Sequence, residues 1–204
     1  MAAITTEEAL RARYGTPSER AVRKELCALD PHCRRFIALS PFVLLSSSGG
    51  AGDFADVTPR GDRPGFVAVL DEATLALPDR PGNNRLDTLA NVLANPEVGL
   101  LFLIPGVDET LRVGGRAEIR DDAALLERFA VDGRAPATVL VVHVRRAFLH
   151  CAKALMRARL WDPEARIERA SLPTMGRMLK DQIGLSGEPE PHEAMVARYR
   201  AELY

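Results

Sequence analysis

The 204-residue chain is short of several things that would announce a function. It has three cysteines, Cys27, Cys33 and Cys151, an odd number with no C-x2-C pair. That excludes a disulfide framework and the usual zinc spacings, and leaves free thiols buried in a reducing cytosol as the expectation, with no metal. Charge of one sign is also lacking. The net value is −1, so no global field draws the chain to nucleic acid or to a membrane surface. The longest apolar runs, such as "VGLLFLI", are too short to span a bilayer. The opening "MAAITTEEALRARYG" is polar and acidic rather than basic and then apolar, so no signal peptide is expected and the location expected is cytoplasmic. Neither G-x-x-x-x-G-K-[ST] nor a post-strand G-x-G-x-x-G occurs, which removes the common nucleotide fingerprints.

What is present is a foldable chain, 47% hydrophobic and 27% charged. Three parts stand out within one structural domain: a helical segment over 1–39, a strand-rich middle over 40–161, and a helical segment over 162–204. "TTEEALRARYG" carries a capping threonine and a stop at Gly15, "SERAVRKELCAL" predicts a helix broken by Asp30-Pro31, and "PHCRRFIAL" predicts a third. In the middle, "FVLLSSS", "FADVTPRG", a hairpin "GFVAVLDE"/"TLALPD" around Asp71-Glu72, "EVGLLFLIPG", "ETLRVGGRAEIR" and the β-branched "ATVLVVHVRRAFLHC" read as strands. One helix, "RLDTLANVLANP", is inserted and ends at Asn95-Pro96. Short strands at hairpin spacing, without a βαβ rhythm, predict an antiparallel barrel, mainly β with flanking helices.

The junction "DRPGNNR", Asp79 to Arg85, concentrates unusual chemistry between a strand and a helix. Asn83 or Asn84 can cap the helix, leaving first-turn N–H groups free. With the helix dipole and the guanidinium groups of Arg80 and Arg85, these donors suit a phosphate. The same residues also suit a well-capped helix after a polar loop. "DVTPRGDRPGFV" adds Arg60, Gly61 and Asp62 at a strand end, which the hairpin returns to the junction.

Other residues suggest chemistry and are set aside. His150 and Cys151, adjacent on a strand, point to opposite faces and make no nucleophile pair. His143, in an apolar strand, reads as a core or interface histidine. Asp71-Glu72 and Asp121-Asp122 read as turn and cap residues. No catalytic residue is assigned.

The stretches "SPF", "DVTPRGDRPGFVAVLDEATLALPDRPGNNRLDTLANVLANPEVGLLFLIPGVDETLRVGGRAEI" and "HCAKALMRARLWDP" resemble the pyridoxamine 5′-phosphate oxidase-like flavoproteins, within them an uncharacterised subgroup. The likeness spans about 40–161 and extends loosely through "LPTMGRMLKDQIG". It implies a six-stranded antiparallel split β-barrel and a homodimer with FMN at the interface. It further implies that Arg60 and Arg85 hold the FMN phosphate beside Asn83 and Asn84, and that Asp62 and Asp79 orient those arginines or the ribityl hydroxyls. Ser47 would face the ribityl chain. Lys153, Arg157 and Trp161 would approach the flavin from the partner subunit. The ending "HEAMVARYRAELY" lacks the arginine- and tryptophan-rich signature of the true oxidases, so the flavin site is implied and pyridoxamine phosphate as substrate is not. The expected function is an FMN-dependent oxidoreductase with unknown electron donor and substrate. The alternative is a non-enzymatic flavin- or haem-binding protein.

Overall fold

The computed structural model describes residues 3–204. The first helix, α1 (Glu7–Tyr14), is bounded as its sequence suggests: the Thr6 hydroxyl accepts from the Ala9 N–H, and Gly15 turns the chain at φ 69°. Helix α2 (Glu19–Arg23) is shorter than the apolar spacing through Leu29 predicts. Leu26 leaves the helix to exchange two backbone hydrogen bonds, 2.9 and 2.8 Å, with Ala147 on a later strand. Helix α3 (Pro31–Leu39) starts under an Asp30 cap, whose carboxylate accepts from the Cys33 N–H, and buries Cys33, Phe36 and Ile37.

Seven strands follow: β1 (Phe42–Ser48), β2 (Ala55–Gly61), β3 (Ala68–Asp71), β4 (Thr74–Pro78), β5 (Glu97–Ile104), β6 (Val107–Arg120) and β7 (Val139–His150). The resemblance implies six strands and seven form, the two arms of the hairpin at Asp71-Glu72 being separate strands as their sequence suggests, its turn closed by the Asp71 carboxylate on the Ala73 N–H. Every neighbouring pair is antiparallel in the order β2-β1-β5-β6-β7-β4-β3. β2 and β3 end the ladder without pairing to each other, which leaves the barrel split along one seam.

Alternation decides which side chains fill it. Val43 and Leu45 of β1, Leu100 and Phe102 of β5, Leu111 and Val113 of β6, and Leu140 and Val142 of β7 join one buried cluster with Leu75 and Leu77 of β4. On β7 the alternation changes parity. Between Gly114 and Gly115 the β6–β7 register slips, so that Gly114 faces Arg146 and Gly115 faces Val144. Arg145 is the extra residue of this bulge. Gly115 is required there, because an added Cβ would collide with the His143 carbonyl.

Helix α4 (Asp87–Ala94) crosses from β4 to β5 and stops before Pro96, as predicted; α5 (Ala123–Glu127) is one short turn ahead of β7. After β7 come α6 (Lys153–Ala158), two short 3-10 turns, α7 (Met175–Ile183) and α8 (His192–Ala201). The buried apolar core runs from Leu29 to Ala147, and α1, α2, α7 and α8 contribute no buried residue. Among the described residues no helix is long and apolar enough to cross a membrane, and no cluster of three or more His, Cys, Asp or Glu could hold a metal ion.

Candidate functional site

Strand pairing brings the junction and β2 together at one end of the barrel. On β2, Asp56, Thr58 and Arg60 share the less exposed face while Phe54, beyond the strand, is 89% exposed. On the other side β4 pairs with β7 so that Pro78 faces Val139, and the Asp79 N–H donates to the Thr138 carbonyl at 2.9 Å. Between these walls lies a cavity of about 590 Å³. Arg60, Asp79, Arg80, Asn83, Asn84 and Arg85 all line it, so the two sequence clusters do meet.

Their roles divide. Arg80 is held on three sides: its Nε donates to Asp62 at 2.8 Å, its Nη1 to the Phe129 carbonyl at 2.8 Å, and its guanidinium lies 5.3 Å from the centre of the Tyr204 ring. The Asp62 side chain is only 4% exposed. Burial disfavours its charge, but bonds from the Tyr204 hydroxyl, the Arg63 N–H and Arg80 hold its carboxyl below the ordinary range. Arg60 sits 3.1 Å from Asp79. Among the described residues Arg85 pairs only with Asp87, at 2.8 Å, and its side chain is 72% exposed. Of the two aspartates expected to orient Arg60 and Arg85, Asp79 pairs with Arg60, whereas Asp62 pairs with Arg80 and Arg85 has neither. Gly61 lines an adjoining chamber rather than this cavity, and Asp62 stands behind Arg80.

The expected asparagine cap is not formed. Leu86, at φ 60°, occupies the cap position of α4, and no side chain caps the helix. Asn83 instead accepts from the Arg85 N–H at 3.1 Å, and Asn84 takes φ 56°. Left-handed steps at Asn84 and Leu86, one on each side of Arg85, replace the expected cap and leave the first-turn N–H groups, beside Thr88 and Leu89 in the cavity wall, without a side-chain acceptor. Ser47 is also displaced from its expected place: it is 5% exposed and accepts from Asn91 of α4 at 3.1 Å, so it fastens the helix to β1.

Lys153, Arg157 and Trp161 are not brought to this cavity within one chain. They lie on and after α6, where the Trp161 indole donates to the Val107 carbonyl at 2.9 Å; Lys153 and Arg157 are exposed. Beside α6 the outward faces of β1, β5, β6 and β7 present a hollow whose wall has Leu44, Leu101, Leu103, Phe148 and Leu155 beside Arg112, Arg146 and His150.

Three lining residues escape sequence reasoning: Arg134, Thr138 and Tyr204. The Thr138 hydroxyl is buried with no hydrogen-bond partner among the described residues. The signal for Arg134 and Thr138 is topological, since pairing "TLALP" with "VLVVH" carries the start of β7 to the junction. For Tyr204 there is no such signal. Counting the wall, four arginines (Arg60, Arg80, Arg85, Arg134) face three aspartates (Asp56, Asp79, Asp87). That balance, with an uncapped helix N-terminus and an orphan hydroxyl, fits an anionic, hydrogen-bonding ligand.

Among the discounted residues, His143 is not in the core. Its side chain is 55% exposed, with Nε2 3.6 Å from Glu118. Cys27 and Cys151 are exposed, against expectation, and only Cys33 is buried, its thiol pushed up to about 11 by burial.

Residues 29–151 match the family model described as pyridoxamine 5′-phosphate oxidase. None of the curated proteins matches the chain by sequence. Among solved structures, HupZ of Group A Streptococcus is similar at 20% identity over 59% of this chain and 92% of that one, with a TM-score of 0.47. A Clostridium acetobutylicum protein related to general stress protein 26 is similar at 16% identity, 58% and 85% coverage, and a TM-score of 0.45. At such identities and TM-scores, the family match carries the assignment.

Proposed function

The chain belongs to the pyridoxamine 5′-phosphate oxidase family, and on that footing we propose that the junction cavity holds the phosphate end of FMN and that the protein is a small flavin-dependent oxidoreductase. The observation that carries this reading is the meeting of the uncapped α4 N-terminus with Arg60 and Arg85 in one wall. Arg85, paired only with one exposed aspartate, is free to turn its fork to a phosphate at little cost. Arg60 presents a second cation, fixed by Asp79. The orphan Thr138 hydroxyl offers a hydrogen bond to a ligand oxygen. When bound, the flavin supplies the electron transfer, and the protein supplies position and electrostatics.

Lys153, Arg157 and Trp161 belong to this proposal through a second copy of the chain. The hollow at Leu44, Leu101, Leu103 and Phe148 is the face on which that copy would sit. A haem reading is less well served, because the cavity wall contains no histidine, cysteine or methionine.

The test is an equilibrium titration with FMN and riboflavin, run alongside light scattering. FMN should bind at least tenfold more tightly than riboflavin, since only FMN carries the phosphate, and the complex should have the mass of a dimer. Equal affinities would remove the phosphate assignment, and a monomer that still binds FMN would remove the shared site.

A further inference from the structure

Helix α8 raises a question of attachment. None of its residues is fully buried, and only Met195 and Val196 among its apolar ones are half-buried, so apolar packing holds it weakly. Its amphipathic contrast is equally weak: Arg198 pairs with Glu190, and Tyr199 is 47% exposed. Yet the segment is docked, because the residue three positions past the helix makes three separate contacts with the site. The Tyr204 hydroxyl donates to Asp62 at 2.6 Å. Its ring covers the Arg80 guanidinium. Its backbone oxygen accepts from Arg134 Nη1 at 2.7 Å. The attachment of α8 is thus concentrated in one side chain.

The position of that side chain matters as much as its partners. A second chamber, of about 920 Å³, lies next to the first. Its outer wall is the end of α8, through Arg198 and Tyr199, and the residues just after it, Glu202 and Leu203. Arg60, Arg80, Asn83 and Tyr204 line both chambers. Tyr204 therefore stands at the boundary, with the barrel's arginines on one side and the helix on the other.

We propose that Tyr204 is a positioning residue of the ligand site, a latch that pins α8 as a strap across the second chamber and keeps Arg80 fixed in the cavity wall. Three features make it a latch rather than a piece of core. Its contacts are a charge-assisted hydrogen bond, a cation–π contact and a backbone hydrogen bond, all of which exchange readily with water. The helix it anchors has no fully buried residue to hold it down alone. Its removal uncovers Arg80, whose side chain is 18% exposed when covered. The strap opens by swinging α8 outward and gives the ligand its way in and out.

The proposal rests on the FMN reading only in its second half, and the two are tested by different measurements. Tyr204→Ala and Tyr204→Phe are compared with the unaltered chain. The first arm uses no ligand: an arginine-selective dicarbonyl is applied and modification is mapped by mass spectrometry. Arg80 should react about tenfold faster in Tyr204→Ala, with a smaller increase in Tyr204→Phe, which keeps the ring, while exposed Arg85 reacts at one rate in all three. Equal Arg80 rates would overturn the latch. The second arm follows FMN release after dilution, by recovery of flavin fluorescence. Release should be on the order of tenfold faster in Tyr204→Ala, the scale of one lost charge-assisted hydrogen bond. Faster Arg80 labelling with unchanged FMN release would overturn the strap's role in ligand exit. An unaltered chain that binds no FMN would bring down the proposed function, and the labelling arm would still decide the latch.

Discussion

The two halves of the junction between β4 and α4 read alike in sequence and differ in almost every physical respect. In the first half, Arg80 is enclosed by Asp62, the Phe129 carbonyl and the Tyr204 ring. In the second, Arg85 stands in solvent with a single aspartate two residues away. An arginine that satisfies a buried carboxylate cannot leave it without exposing that charge to a dry environment, so Arg80 is committed to the fold. An arginine with an exposed, replaceable partner loses little by changing it, so Arg85 is available to a ligand. One short loop thus carries an arginine committed to the fold and another left free, divided at Gly82.

The largest effect that can break this division is expected from Arg80→Ala. It leaves Asp62 nearly buried without its cation, for which about 3 kcal/mol of lost stability is the usual scale. Urea denaturation checks it, and a variant as stable as the parent would return Arg80 to the ligand. Next comes Arg85→Ala. It should weaken FMN binding roughly ten- to a hundred-fold while leaving riboflavin affinity and the melting temperature unchanged. If riboflavin suffers equally, Arg85 is a structural part of the loop.

The smallest effect lies in the acid limb. Asp62 faces the Arg80 guanidinium, the Tyr204 hydroxyl and the Arg63 N–H, and its folded-state pKa is depressed below 3.8. A depressed carboxyl stabilises the fold above the unfolded value and loses that contribution as pH falls through the folded one. Asp62→Asn should accordingly flatten part of the stability loss below about pH 4, a window set by the ordinary carboxylate value. Matching acid slopes for variant and parent would show that the pair carries no linkage.

Much of this was legible from the chain. β1 and β4 follow their hydrophobic patterns, α4 stops where Asn95-Pro96 predicts, and the hairpin returns Arg60 to the junction. The failures share a cause, which is that long-range partners overrode local preference. Two asparagines before a helix predict a cap, but the left-handed turns at Asn84 and Leu86 point their side chains elsewhere. Arg80 resembles Arg85 until Phe129 and Tyr204 arrive from 49 and 124 positions away along the chain. Helix α2 has the spacing for a longer helix, yet the bond between Leu26 and Ala147 takes its last turn. Ser47 ends a strand that a ligand could have faced, and Asn91 took it.

The bulge opposite Gly115 makes β7 a strand in which number matters more than identity. Before it, Leu140, Val142 and Val144 are buried; after it, Ala147 is buried and both Arg145 and Arg146 are exposed. Two arginines in a row at the middle of a central strand are tolerated only because one of them is the uncounted residue. Substituting either with another polar residue should be mild. Deleting one of them would remove the bulge and leave plain alternation, with Val144 and Ala147 both still facing the interior and Ala147 still opposite Val113. One residue of count at this point thus sets the bend of β7, while the side chains that fill the core stay the same.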